Sequence, residues 1–129
     1  MPEQTGGADK EKRAIETVDL ARYIVDLIAD KKGEDIVLLD VRRQTIIADY
    51  FIICSGTSER QLKAISEGIT EAVKQNHQVP AHRVEGKAEG GWVLIDYGDI
   101  IVHIFAPSVR AYYNLEELWH EAAVLLKMQ

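Results

Sequence analysis

From Thr17 onward, apolar residues recur every three or four positions. Leu20, Ala21, Ile24, Leu27 and Ile28 form one stripe, while Asp19, Arg22, Asp26 and Asp30 take the opposite face. That spacing predicts an amphipathic helix. Lys31-Lys32-Gly33 closes it, with cations at the negative end of the helix dipole and a glycine stop. The period then changes. Ile36-Val37-Leu38-Leu39-Asp40-Val41 and Tyr50-Phe51-Ile52-Ile53-Cys54 are nearly continuous apolar runs, as expected of strands covered on both faces. Arg42-Arg43-Gln44-Thr45 reads as the loop between them. Ser55-Gly56-Thr57-Ser58 leads into a second helix, with Ser58 and Gln61 at capping-box spacing. Leu62, Ile65, Ile69, Ala72 and Val73 supply its buried stripe.

After Pro80, Arg83-Val84-Glu85 reads as a short strand. Gly90-Gly91 then opens a hairpin in which Trp92–Ile95 and Ile100–Phe105 flank Asp96-Tyr97-Gly98-Asp99. Two registers are open. A two-residue Tyr97-Gly98 turn sets Trp92 opposite His103. A three-residue loop with a bulge slips the pairing by one, and is favoured because it spares Tyr97 a positive φ. Pro107-Ser108 ends the strand. Asn114 and Glu117 mark the start of a last helix, striped by Leu115, Leu118, Trp119, Ala122, Leu125 and Leu126. The expected order is α, β, β, α, β, β, β, α, one α/β domain with a mixed β-sheet and packed helices over residues 15–129. Residues 1–14 hold Gly6-Gly7 and no large apolar side chain beyond Met1, and are expected to form a flexible tail.

Composition narrows the function. A chain of 129 residues is one domain's worth, with enough length to bury a core without disulfides; its single cysteine is Cys54. Twenty-one acidic against fifteen basic residues leave a net charge of −6. That disfavours nucleic acid as the main contact, because such domains carry a basic stripe. No apolar run approaches the ~20 residues that span a bilayer, and Met1-Pro2-Glu3-Gln4-Thr5 lacks the apolar core of a signal peptide. A cytoplasmic protein without membrane attachment is expected.

Catalytic chemistry finds little to work with. The four histidines and one cysteine form no metal-binding pair, and Glu117-x-x-His120 is a single motif where di-metal bundles need two. Cys54 ends an apolar strand, where thiols are usually inert. The strand–Ser55-Gly56-Thr57-Ser58–helix layout has more substance. It presents backbone N–H groups to a phosphate and resembles the nucleotidyltransferase fold. The acidic pair such enzymes carry on the following strand is missing, since Asp96 and Asp99 sit across a turn. A metal-dependent nucleotidyltransferase with displaced ligands is the alternative reading, and the plainer one is a tight turn with a helix cap. Trp92, Tyr97, Arg110, Tyr112, Tyr113 and Trp119, by contrast, crowd the last third of the chain, and such residues anchor protein interfaces. Trp119 falls in a helix stripe and is expected in the core. Trp92, at a strand start after two glycines, is as well placed for an interface.

Three segments resemble the Iojap family of ribosomal silencing factors (RsfS): Asp49–Gln61, Glu85-Gly86 with Gly91–Phe105, and Arg110-x-Tyr112-Tyr113-x-Leu115-Glu116-x-Leu118-Trp119. The resemblance implies a nucleotidyltransferase-like fold without the catalytic acids. It implies no enzyme activity and no cofactor or metal. It also implies a translational repressor that binds ribosomal protein L-fourteen on the large subunit and sterically blocks joining of the small subunit when nutrients are scarce. Members are often homodimers when free. Charge fits a basic ribosomal protein as partner, since one lysine faces four carboxylates between Glu85 and Asp99, a local −3. The expected partner-binding residues are Trp92 as apolar anchor, Tyr97 at the turn tip, Asp96 and Asp99 as electrostatic partners, and Arg110 and Tyr113 just beyond the strand.

Overall fold

The computed structural model describes residues 15–129; the expected tail at residues 1–14 lies outside them. Helix α1 (Thr17–Asp30) is followed by strands β1 (Glu34–Asp40) and β2 (Tyr50–Ser55), then helix α2 (Glu59–His77). Strand β3 (Arg83–Glu85), a 3-10 turn at Ala88–Gly90, β4 (Trp92–Asp96) and β5 (Ile100–Phe105) come next. Two short helices, α3 (Pro107–Tyr113) and α4 (Leu115–Leu118), lead to strand β6 (Ala123–Met128). The result is the expected α/β class, with one six-stranded mixed sheet in the order β3-β4-β5-β2-β1-β6. The central β2–β5 pair is parallel and the other pairs are antiparallel.

Strand alternation divides the core in two. On one face Ile36, Leu38, Ile52, Cys54, Ile95, Val102 and Ile104 meet the stripes of α1 and α2, including Leu20, Ile24, Ile28, Leu62, Ile65 and Ile69. On the other, Val37, Leu39, Phe51, Ile53 and Phe105 meet Val109 and Leu115 of the short α3–α4 segment and Trp119 and Ala122 just beyond it. The first face is closed by two long helices and the second is half covered. Helix α2 starts as its sequence predicts: Ser58 Oγ accepts from Gln61 N at 3.1 Å, a cap worth about 1 kcal/mol. Gln61 ties this start to the end of α1, donating to the carbonyls of Lys31 and Lys32.

Two expectations fail. The last helix ends after one turn, and Ala123–Met128 is a strand against β1, with Leu126 opposite Leu38. The apolar spacing of Leu115 to Leu126 fits a helix locally, but β1 has backbone groups to pair and the sheet takes the segment. Leu118 and Leu125, assigned to a buried stripe, are 70% and 37% exposed. Pro107, read only as a strand end, sits in the first turn of α3, where its missing N–H costs nothing.

The hairpin register is also neither of those expected. Trp92 pairs with Phe105 and Leu94 with His103. Tyr97 N donates to the Ile100 carbonyl at 2.9 Å, so the loop is Gly98-Asp99, with glycine first at φ +89°. The reluctance of tyrosine to take positive φ is real, and the chain meets it by extending the strand one residue further. Relative to the tight-turn option the slip is two residues, which leaves every side chain on its face. Trp92 and His103 therefore remain neighbours.

Candidate functional site

The half-covered face carries an aromatic surface. Alternation along β4 and β5 sends Trp92 and Leu94, with Ile101, His103 and Phe105, to the same side. The backbone at Gly86 is shaped for this: φ is +82°, and a Cβ there would run into the carbonyl oxygen of Trp92. The Trp92 indole is half-buried. It packs 4.7 Å from the Tyr113 ring and 4.8 Å from Phe105, centroid to centroid, and its Nε1 donates to His103 Nδ1 at 3.3 Å. Tyr112 is 81% exposed and Tyr113 50% exposed, edge to face with one another. Beside them lies a notch of about 210 Å³ lined by Glu85, Gly86, Trp92 and Leu94. Its lining sets the apolar Trp92 and Leu94 beside Glu85, whose carboxylate pairs with Arg83 at 3.1 Å.

His103 is buried within this cluster. Its cross-strand neighbours are Leu94 and Ile53, Phe51 meets its ring edge-on, and Phe105 stacks parallel to it. Burial among hydrocarbon holds its pKa down to about 4. The ring is neutral at physiological pH.

Of the six residues expected to bind a partner, Trp92 and Tyr113 come together. Tyr97 does not. It is 1% exposed in the α1–α2 core, and burial pushes its hydroxyl up to about 12. The actual turn begins one residue later, so Tyr97 is the last inward position of the strand and not its tip. Asp96 and Asp99 lie at the far end of the hairpin, about 13 Å along the strand from Trp92. Asp96 Oδ1 accepts from Gly98 N at 2.7 Å and its Oδ2 pairs with Arg83 at 3.2 Å. Asp99 Oδ2 accepts from Thr17 Oγ1 at 3.1 Å. Both carboxylates serve the fold. So does Arg110, which forks onto Glu116 at 3.1 and 2.6 Å and donates to the Asp35 carbonyl and Ser55 Oγ. Trp119, expected in the core, is half-buried against Phe51 at 5.1 Å.

His103 and Phe105 are not among the interface residues expected from sequence, and Tyr112 is counted there only as a member of the aromatic cluster. The alternation of Ile101, His103 and Phe105 against Trp92 and Leu94 held the signal, but it needs the register to be read.

The features weighed for catalysis resolve into structure. At the strand–helix turn, Gly56 N donates to Phe105 O and Thr57 N to Gln61 Oε1, so these donors already have acceptors. Cys54 is fully buried on the α1–α2 face, opposite to His103, with its thiol pushed up to about 12 by burial.

A ribosomal silencing factor RsfS of Halalkalibacterium halodurans is 43% identical over 104 residues, covering 81% of this chain and 88% of its own length. A mouse protein named mitochondrial assembly of ribosomal large subunit protein 1 is 33% identical over 98 residues, 74% of this chain and 43% of its own. A crystal structure of a Chromobacterium violaceum protein superposes with a TM-score of 0.78 at 35% identity, over 82% of this chain and 88% of that one. Residues 14–129 match the family described as "ribosomal silencing factor during starvation", and the chain belongs to this RsfS family.

Proposed function

We propose that this protein represses translation by docking its Trp92 face on the large ribosomal subunit, with ribosomal protein L-fourteen as partner. Occupation of that surface sterically blocks joining of the small subunit, and no bond is made or broken. The observation that carries this reading is the aromatic surface itself: a half-exposed tryptophan, two exposed tyrosines and an acid-rimmed notch on the half-covered face of the sheet. Tryptophan and tyrosine are the residues that dominate binding energy when a partner desolvates them. The names of the relatives support a ribosomal target, and the mouse protein's name points to the large subunit. The reading places the protein in the cytoplasm.

Sedimentation with purified large subunits tests it. The wild-type chain is expected to co-sediment and to be displaced by excess small subunits. Trp92→Ala is expected to weaken association by about 30-fold or more, the effect of losing a hot-spot side chain, while keeping the dispersed amide spectrum and cooperative melting of a folded domain. Full binding by folded Trp92→Ala would remove the residue from the anchor role. Simultaneous binding of protein and small subunit would remove the blocking mechanism.

The free protein is proposed to be a homodimer, through the open edge of β6. That edge is six residues long, with Val124, Leu125 and Met128 exposed, whereas the opposite edge, β3, is three residues long and carries Arg83 and Glu85. Long apolar edges pair with other strands unless blocked. Sedimentation velocity is expected to give a dimer that Leu125→Lys converts to monomer; an unchanged dimer would place the interface elsewhere.

A further inference from the structure

His103 is a costly residue in its place. Nδ1 accepts from the Trp92 indole, which can only donate, so the proton of the neutral ring is on Nε2. That Nε2 is buried and has no hydrogen-bond partner. An orphaned buried donor costs about 1–3 kcal/mol. A leucine or phenylalanine between Ile53, Leu94, Phe51 and Phe105 would carry no such cost. What hydrocarbon cannot supply is an acceptor aimed at the indole N–H.

We propose that His103 is a positioning residue of the docking face, its unprotonated Nδ1 fixing the Trp92 indole in the orientation that meets the partner. This rests on the reading of Trp92 as anchor. Van der Waals contact with Phe105 and Tyr113 leaves the indole free to slide or flip in its plane, and a hydrogen bond removes that freedom. Ordering the ring before association lowers the entropy cost of binding.

The chain has two tryptophans, so its indole ¹H–¹⁵N spectrum has two resonances, one from Trp92 and one from Trp119. His103→Leu removes the acceptor. The Trp92 resonance is expected to move upfield and broaden, that of Trp119 to stay, and large-subunit affinity to fall about tenfold, the worth of one buried hydrogen bond. His103→Asn, whose Oδ1 takes the place of Nδ1, is expected to restore both resonance and affinity. Should the leucine variant fail to fold, His103→Phe serves, because it keeps a ring against Phe105.

An unmoved Trp92 resonance in the folded leucine or phenylalanine variant would overturn the proposal. So would a moved resonance with undiminished affinity, provided Trp92→Ala still weakens binding. If Trp92→Ala itself leaves binding intact, the docking reading fails, and with it the role assigned to His103.

Discussion

Replacing Arg110 by alanine is expected to destabilise the domain by about 3 kcal/mol, lowering its melting temperature by about 10 °C. The guanidinium is 11% exposed and makes four hydrogen bonds, joining α3 to the start of β1 through the Asp35 carbonyl, to the end of β2 through Ser55 Oγ, and to α4 through Glu116. Removing it leaves Ser55 Oγ and a carbonyl without a donor, and Glu116 without its counter-charge. Arg110→Lys is expected to recover only part of the loss, since a single ammonium cannot reproduce the fork onto Glu116. Calorimetry or thermal denaturation by circular dichroism gives the answer. A variant that melts like wild type but binds ribosomes weakly would return Arg110 to the role of partner contact. Helix α3 carries Tyr112 and Tyr113, so loss of this tie also releases the rim of the proposed docking face.

The second large effect is expected in acid. Burial holds His103 near pKa 4 against an ordinary value of 6.5. Above pH 6.5 the ring is neutral in both folded and unfolded chains and stability is full. As pH falls from 6.5 towards 4 the unfolded chain takes up a proton that the folded one refuses, and stability is lost. The whole effect is about 3 kcal/mol, complete once pH falls below 4. Urea denaturation between pH 7 and 4 measures it, with His103→Asn, which does not titrate there, as reference. The stability of wild type relative to His103→Asn is expected to fall by that amount as pH drops across this window; a difference independent of pH would mean that His103 titrates alike in both states. Nδ1, the acceptor for Trp92, is the atom the proton would reach first, so acid also removes the restraint on the indole.

The parts of the fold legible in the sequence were those whose signal is local. Leu20 to Ile28 and Leu62 to Val73 repeat at helical spacing and bury that stripe. Ser58 and Gln61 cap a helix where their spacing says they should. Ile52 to Cys54 is continuous in apolar character because β2 is central and covered on both faces. Trp92 and Tyr113 were legible as large amphipathic side chains, and the fold brings their rings together. The acids were not recognisable as internal, because nothing in the order of residues says that Arg83 lies opposite Asp96 or that Thr17 reaches Asp99.

Sequence alone therefore determined the α/β class, the two long helices, the central strands and, through three signature segments, the family. Each rests on interactions between near neighbours or on residue identity. Tertiary structure decided the fate of Ala123–Met128, the Gly98-Asp99 loop and the grouping of Trp92, His103, Phe105 and Tyr113. Those outcomes depend on hydrogen-bond partners distant in the chain. β1 needed a neighbour, so an apolar run with helical spacing became a strand. The same long-range pairing separates Trp92 and Tyr113 from Tyr97, Asp96 and Asp99, which local sequence groups into one surface. The excess negative charge of the hairpin, read as an electrostatic handle, is in part spent, Glu85 included, on Arg83, the turn and α1, and the face proposed for a partner is chiefly aromatic.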